Sequence, residues 1–299
     1  YVIAGDTNTD AVELVAVDRT DGDVAWRYEL GADRPYSALR GQPVVGNGTV
    51  FVQGTAFGPD VDPRRFVVAV DGGSERWRFD VGGDGATSPA VANGTVYIGT
   101  FDAEAETGSV VALDASDGGV EWRTDIGAQP AREPVVVDGE VYVATWSGVT
   151  VLDAGDGTVR RHLDVAAGGE AIAVTDDTVY AARWDDNALV ALDGTTGAVR
   201  WTAPELFVET PPSVAGNAVV VGSNGGVVGL DPATGERLWG YTVDERDVID
   251  SPPAVVDGAV YVGPANRRLY ALAEGGSAVP GGLTGQLGRA SVSNTLLGA

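Results

Sequence analysis

Short apolar runs alternate with turn residues along most of the chain, and the stretch from Ser88 to Asp125 shows this pattern most clearly. Four runs rich in β-branched and aromatic residues fall within it, bounded by Gly, Asn, Asp or Ser. The runs are Pro89–Ala92, Val96–Gly99, Val110–Asp114 and Val120–Arg123. The sequence has no amphipathic helical period of useful length. The pattern therefore predicts an all-β chain built from units of four short strands.

The first two strands of a unit are joined by a two-residue hairpin turn. Asn93-Gly94 forms it in the stretch above, and the matching dipeptides elsewhere are Asn47-Gly48, Asp138-Gly139 and Asp257-Gly258. A type I′ turn needs positive φ at both central residues, and Asn, Asp and Gly tolerate this conformation. These strands are therefore predicted to pair antiparallel.

A block of the form Ala-x-Asp-x-x-x-Gly-x-x-x-Trp recurs along the chain. Complete copies run from Ala16 to Trp26, Ala112 to Trp122 and Ala191 to Trp201. Degraded copies run from Ala69 to Trp77, Val151 to Arg161 and Gly229 to Trp239, so that Arg161 stands where Trp is expected. The Asp residues of the six copies are separated by 53, 43, 39, 40 and 38 positions. A period of about forty residues predicts a repeat architecture.

Four-stranded units of this length in series predict a β-propeller, in which radially arranged short sheets limit exposed edges. The competing parallel β-helix has shorter rungs and no hairpin turns. The copies favour seven blades, with eight as the alternative. Residues 1–274 form the predicted propeller, which opens on a second-strand pattern and ends on a third strand at Arg268–Leu272. The Gly-rich tail, 275–299, is a candidate for the strand that closes the first blade or begins an eighth.

The block resembles the tryptophan-docking repeat of the pyrroloquinoline-quinone-like β-propellers, a family that includes quinoprotein dehydrogenases and an outer-membrane assembly lipoprotein. The resemblance covers nearly everything from Tyr1 to Glu274. It implies that each outer-strand Trp is held between the Ala of its own block and the Gly turn of the next. The Trp residues concerned are Trp26, Trp77, Trp122, Trp201 and Trp239. Arg161 is expected to break this girdle.

Acidic residues dominate the charge of the chain, with 43 Asp and Glu against 19 basic residues and a net charge of −24. All 19 basic residues are Arg, and the chain has neither Cys nor Met. This composition resembles that of proteins from extreme halophiles. Such a surface repels phosphate backbones, which argues against a nucleic-acid partner. The sequence has no run of 18 apolar residues, so no transmembrane segment is predicted.

Stability is expected to depend on salt. Molar salt shortens the Debye length to about 3 Å and screens carboxylate repulsion. The melting temperature followed by circular dichroism should therefore fall by several degrees as KCl is lowered from molar to tens of millimolar. Repeating the titration near pH 4, where many carboxylates are protonated, should reduce the effect. Equal melting temperatures at both salt extremes would contradict the halophile interpretation.

The family resemblance raises a quinoprotein dehydrogenase as one hypothesis, and the residues argue against it. Those enzymes cap their quinone with a vicinal disulfide and use Ca²⁺ ligands beside a catalytic Asp, whereas this chain has no Cys. The repeated Asp follows a strand directly, so it is predicted to stabilise a turn. His162 is the single His and cannot form a zinc site by itself. No catalytic residue, cofactor or metal is predicted.

Three aromatic residues that the repeat does not require stand at matching positions in consecutive units. Phe101, Trp146 and Trp184 each lie four residues after a second-strand Tyr, in the predicted loop that leaves that strand. This loop shares a face of the propeller with the connections between blades. The charged or aromatic residues of those connections are Arg40, Arg132, Glu133, Glu170, Phe207, Glu209, Arg246 and Asp250. The two interpretations are a partner-binding face and local loop packing.

The function expected from these features is a monomeric, non-enzymatic scaffold at the cell surface or outside the cell, which binds a protein or small-molecule partner. The first alternative is a degenerate quinoprotein dehydrogenase domain. The second is the sensor domain of a larger membrane-tethered protein, because the chain opens without Met on a second-strand pattern. Residues upstream are expected to have carried a signal or an anchor.

Overall fold

The computed structural model describes residues 2–5, 12–18, 20–30, 38–58, 61–165, 172–208, 210–215, 217–223, 226–242, 249, 251–256, 259–263 and 270–273. Every helix or strand assigned within these ranges is a β-strand. The strands form seven sheets that follow one another in chain order, and the pairings within them are antiparallel. The all-β prediction is confirmed.

The first three sheets contain three, four and five described strands, and sheet 2 has the predicted four-stranded plan. Sheet 1 contains β1 (Val2–Gly5), β2 (Val12–Val17) and β3 (Val24–Glu29). Sheet 2 contains β4 (Ala38–Gly46), β5 (Thr49–Gly58), β6 (Val61–Asp71) and β7 (Ser74–Asp80). Sheet 3 contains β8 (Gly85–Ala86), β9 (Ala90–Ala92), β10 (Thr95–Asp102), β11 (Thr107–Asp114) and β12 (Val120–Asp125). Because β8 and β9 both pair with β10, they act as one interrupted first strand.

Sheets 4, 5 and 6 repeat the four-stranded plan, and sheet 7 has three described strands. Sheet 4 contains β13 (Val135–Val137), β14 (Glu140–Thr145), β15 (Gly148–Asp153) and β16 (Val159–Leu163). Sheet 5 contains β17 (Ile172–Thr175), β18 (Thr178–Arg183), β19 (Ala188–Asp193) and β20 (Val199–Ala203). Sheet 6 contains β21 (Ser213–Ala215), β22 (Ala218–Ser223), β23 (Gly226–Leu230) and β24 (Arg237–Thr242). Sheet 7 contains β25 (Ala254–Val256), β26 (Ala259–Val262) and β27 (Tyr270–Ala273).

The described chain separates into two compact units. The first contains Tyr1–Val143 and Thr150–Arg161, and the second contains Ala144–Val149 and His162–Ala299. Within each unit, the buried side chains of two consecutive sheets pack together in a common cluster. In the first unit Phe51 of sheet 2 packs with Ile98 of sheet 3, and the cluster of sheets 5 and 6 in the second unit is built the same way. A single small sheet cannot bury its apolar faces alone, so the stability of each repeat depends on its neighbours.

The hairpin turns have the predicted geometry. Asn47 and Gly48 have φ values of 49° and 82°, Asn93 and Gly94 have 51° and 86°, and Asp138 and Gly139 have 49° and 75°. Two consecutive positive values define a type I′ turn. The three dipeptides are therefore explained by hairpin geometry. The fourth, Asp257-Gly258, lies outside the described residues.

The repeated Asp closes the turn before the outer strand. In sheet 3 the Asp114 carboxylate accepts hydrogen bonds from the backbone N–H and the hydroxyl of Ser116, at 2.7 and 2.5 Å. Its backbone carbonyl accepts the N–H of Gly118 at 2.8 Å. The bonds from Ser116 lower the pKa of Asp114. Equivalent carboxylate bonds are made by Asp18, Asp153, Asp193 and Asp231. These side chains therefore serve the turns, as predicted.

Three of the five docking tryptophans have the full predicted geometry. Trp122 is paired with Ala112 of its own block, and its indole N–H donates to the carbonyl of Ala154 in the next turn at 3.0 Å. A Cβ placed on Gly157 of that turn would lie 2.4 Å from the ring. The equivalent contacts are Trp77 with Ala115 and Gly118, and Trp201 with Pro232 and Gly235. The three Trp side chains are 8 or 9% exposed, so the girdle is a packing element.

Trp26 and Trp239 depart from this geometry. Trp239 is paired with Gly229, where a Cβ would lie 2.2 Å from its ring. The ring of Trp239 therefore occupies the space that the Ala of the block fills in other sheets. A Cβ on Gly73 would lie 3.3 Å from the Cβ of Trp26. The turn at Gly73 therefore contacts the base of the Trp26 side chain. Both residues are only partly buried.

Arg161 takes the place of Trp within sheet 4. In sheets 2, 3 and 5 the outer-strand Trp packs on a second-strand aromatic ring, with centroids 5.6 to 5.9 Å apart. In sheet 4 the Arg161 guanidinium lies 5.9 Å from the ring centroid of Tyr142 and donates to both carboxylate oxygens of Glu140, at 2.7 and 2.5 Å. This pairing lowers the pKa of Glu140, while burial and the Glu140 carboxylate raise the pKa of Tyr142 to about 12. At Gly197 the nearest side chain is Leu163, at 3.5 Å, so no Trp covers that turn.

Candidate partner-binding site

Two tryptophans are exposed, in contrast to the docking set. Trp146 lies in the turn between β14 and β15 and is 56% exposed, and Trp184 lies in the turn between β18 and β19 and is 53% exposed. Both belong to the second unit, at the equivalent hairpin of consecutive sheets. An indole ring is less favourable in water than in an apolar environment, and aromatic residues are enriched in protein–protein interfaces.

The Trp184 hairpin is held by the connection that follows sheet 5. The carbonyl of Asn187, which has φ of 52°, accepts the backbone N–H groups of Leu206 and Phe207 at 2.7 and 3.4 Å. Glu205 and Phe207 have φ values of 61° and 44°, an uncommon conformation for residues other than Gly. Phe207 is 46% exposed. The second unit thus displays a third exposed aromatic side chain, on the segment that is hydrogen-bonded to the Trp184 hairpin.

Carboxylates border these aromatic side chains. Arg183 donates to both carboxylate oxygens of Asp186, with Nε at 3.0 Å from Oδ1. This pairing lowers the pKa of Asp186. Asp185 follows Trp184 in sequence, Glu205 lies two residues before Phe207, and both are exposed. Aromatic residues surrounded by charged groups have the composition of an interaction surface with a polar rim.

Phe101 lies within a strand rather than in the predicted loop. It is a residue of β10 and pairs with Gly85 of β8 on one side and Gly108 of β11 on the other. The addition of β8 extends the pairing of β10 beyond the point where β14 and β18 end, which explains the difference. Phe101 is partly buried and belongs to the first unit. A common surface formed by Phe101, Trp146 and Trp184 stays a prediction.

Phe101 and Arg132 line one cleft of the first unit. The cleft has a volume of about 280 Å³ and lies between segments 85–88, 99–101 and 129–133. Arg132 and Gln129 are exposed, Glu133 is partly buried and Pro130 is buried. The structure thus brings together two of the residues predicted to bind a partner. Sequence analysis missed the contributions of segment 85–88, of Gln129 and of Pro130.

The structure does not describe the side chains of the other predicted site residues. Arg40 lies in β4 and pairs with Gln53, and its side chain is outside the described part of the chain. Glu170, Glu209, Arg246 and Asp250 also lie outside the described residues, as does the tail 275–299. The role of these residues at a binding face stays a prediction.

His162 is an exposed residue of the outer strand β16. Its Nε2 lies 3.2 Å from the carbonyl oxygen of Ser147. Within the described ranges, no group of three or more His, Cys, Asp or Glu side chains is arranged to hold a metal ion. The same ranges contain no helix of the length and hydrophobicity needed to cross a membrane.

The sequence matches a known family over most of its length. The family model described as "Outer membrane protein assembly factor BamB" matches residues 63–168 and 147–279. The outer membrane protein assembly factor BamB of Yersinia pestis is 37% identical over 142 residues. This alignment covers 42% of the chain and 36% of the relative, so the chain matches only about a third of that protein's length.

Solved structures support the same fold. BamB from Moraxella catarrhalis superposes with a TM-score of 0.61 at 19% identity, covering 93% of this chain and 83% of its own. The computationally designed Ika8 protein superposes with a TM-score of 0.53 at 14% identity, covering 91% and 95%. The described sheets and these superpositions confirm the β-propeller prediction. On the evidence of the family match, the chain belongs to the outer membrane protein assembly factor BamB family.

Proposed function

We propose that this chain is a binding scaffold that performs no chemistry and engages a protein partner through the exposed aromatic side chains of its second unit. The observation that carries the proposal is the contrast between two classes of Trp. Trp77, Trp122 and Trp201 are at most 9% exposed, whereas Trp146 and Trp184 are more than half exposed at equivalent hairpins. The repeat buries three of its five periodic tryptophans and partly buries the other two, and it gives no packing reason for the two additional ones.

The use of the charged side chains also supports a scaffold. The repeated Asp carboxylates accept turn hydrogen bonds, and Asp153 and Asp193 also pair with Arg160 and Arg200. Carboxylates whose pKa is lowered in this way are poor general bases at neutral pH. The acidic residues that repeat in the blades therefore have a structural explanation, which supports a scaffold.

The family name supports a role in assembling other proteins. Members of the family are described as assembly factors for outer membrane proteins. By this analogy the partner of the present chain is itself a protein, met at the cell surface or outside the cell. Fold alone does not transfer a function, so the exposed aromatic side chains are the feature to test.

The test is a double substitution of Trp146→Ser and Trp184→Ser. The double variant should weaken capture of the partner from host extract about tenfold or more, since exposed aromatic anchors dominate interface energies. Its melting temperature should stay close to that of the unchanged protein, because neither ring is buried. Capture is quantified by mass spectrometry against immobilised protein in molar KCl.

The matched control is Val199→Ser with Leu238→Ser, which removes equally exposed apolar side chains, 55% and 48%, from outer strands of the same unit. The control variant should capture the partner normally. Equal capture by the tryptophan variant and the unchanged protein would contradict the proposal. A second arm titrates pyrroloquinoline quinone with Ca²⁺, and saturable quenching of Trp fluorescence with dye-linked dehydrogenase activity would favour the enzyme alternative instead.

A further inference from the structure

The cleft of the first unit has one apolar wall. Few of its polar side chains are free of hydrogen bonds within the protein and able to bind a ligand. Phe101 and Pro130 line it together with Ala86. The Thr87 hydroxyl is already engaged, since it accepts the N–H of Gly99 at 3.0 Å and donates to the carbonyl of Ser88 at 2.9 Å. Among the described residues, the lining side chains that have no hydrogen-bond or ionic partner are Gln129, Arg132 and Glu133. The side chains that can form hydrogen bonds or ion pairs with a ligand in this cleft therefore lie in segment 129–133.

Arg132 stands at a position where sheets 3 and 7 use a hydroxyl to accept a backbone N–H. Thr87 precedes Gly99 by twelve residues and accepts its N–H, and Ser251 precedes Gly263 by twelve residues and accepts its N–H at 3.3 Å. Arg132 precedes Ala144 by the same twelve residues. A guanidinium has donors and no acceptor, so it cannot replace the hydroxyl in this contact. The substitution thus gives up a repeated structural bond and introduces a cation.

An arginine without a partner is unusual in this chain. The other described arginine side chains, with the exception of Arg237, pair with a carboxylate or donate to an oxygen acceptor. With 43 acidic residues against 19 arginines, intramolecular partners are abundant. Arg237 lies on the outer strand β24, where its guanidinium meets Gly240 of the same strand. Arg132 differs because it lines a cleft.

We propose that this cleft binds a carboxylate attached to an apolar group, with Arg132 as the cation and the wall of Phe101 and Pro130 receiving the apolar part. The planar guanidinium donates to both oxygens of a carboxylate, an arrangement that is stronger than a neutral hydrogen bond. Gln129 supplies a further amide donor. The volume of about 280 Å³ limits the bound part to a small acid or to the terminal residue of a peptide. The site lies in a different unit from the exposed tryptophans, so it goes beyond the scaffold function and does not depend on it.

The experiment titrates the complete chain in molar KCl with phenylacetate and with its neutral analogue phenylacetamide, followed by calorimetry. Phenylacetate should saturate with a dissociation constant of about 1 mM or below, and the amide should bind at least about tenfold more weakly. An N-acetylated tripeptide ending in Phe, compared with its C-terminal amide, identifies the source of the carboxylate. Tighter binding of the free peptide indicates a chain terminus, and binding of phenylacetate alone indicates a free organic acid; either supports the proposal.

Three variants assign the binding to named residues. Arg132→Gln should weaken phenylacetate about tenfold, and Arg237→Gln, the matched control, should leave it unchanged. Glu133→Gln should leave binding unchanged or tighten it, because it removes a carboxylate that repels the ligand. Failure of phenylacetate and the free peptide to saturate, equal affinity for acid and amide, or an unaffected Arg132→Gln variant with an unchanged melting temperature would overturn the proposal. Loss of phenylacetate binding in Glu133→Gln would also overturn it, since the Glu133 carboxylate is expected to repel the ligand and not to hold it.

Discussion

Replacing Trp122 or Trp201 by Ala is expected to lower the free energy of unfolding by about 3 to 5 kcal/mol, the range of large aromatic truncations in a core. Each ring is about nine-tenths buried, packs on a Tyr of its own sheet, and donates a hydrogen bond to the next turn. Truncation therefore removes the packing on two sides and leaves a carbonyl without its donor. The measurement is urea unfolding followed by circular dichroism in molar KCl.

Trp184→Ala is the control for this prediction. It removes the same side chain from the same repeat protein at a position that is 53% exposed, so it should cost less than about 0.5 kcal/mol. Trp122 and Trp201 lie in different units. Similar losses of unfolding free energy for the two substitutions would show that a docked Trp stabilises each unit. A loss below about 1 kcal/mol at Trp122 or Trp201 would show that the contact does not stabilise the fold.

The periodic part of the structure could be predicted because local spacing fixes it. A hairpin at Asn93-Gly94, an Asp that closes a turn and a Trp four residues after a Gly all depend on neighbours within one or two repeats. The structure reproduces each of them. The same reasoning predicted that Arg161 would interrupt the girdle, and the turn at Gly197 indeed has Leu163 as its nearest side chain.

The non-periodic part could not be predicted in the same way. The compensation of Arg161 by Glu140 and Tyr142 depends on side chains from β14 and β16, two strands separated by β15, and only their complementary charges gave a signal. The position of Phe101 depends on β8, a two-residue strand too short to recognise in sequence. The cleft beside Arg132 depends on how two connections pack, and no local pattern encodes this. The twelve-residue offset shared by Thr87 and Ser251 was the one available sign that Arg132 is exceptional.

A second large loss of stability is expected when Gly235, the turn glycine covered by the docked ring of Trp201, is replaced by Ala. Gly235 has φ of 73°, and a Cβ there would lie 2.5 Å from the ring of Trp201. Gly235→Ala should cost about 1 to 2 kcal/mol for the left-handed backbone and about 1 to 3 kcal/mol more for the overlap. Gly22 is the matched control, because it occupies the same position of the block with φ of 82°, and no atom of the described residues lies within 4 Å of its Cβ site. Gly22→Ala should therefore show the backbone cost alone.

A double-mutant cycle separates the two causes at Gly235. If the ring of Trp201 is the obstacle, Gly235→Ala made in the Trp201→Ala background should cost no more than Gly22→Ala does in the unchanged protein. The difference between the two backgrounds then measures the coupling of ring and turn, about 1 kcal/mol or more for residues in direct contact. Equal costs in both backgrounds would mean that the backbone alone disfavours Ala at this position. The Gly of the block would then be required by turn geometry and not by the docked tryptophan.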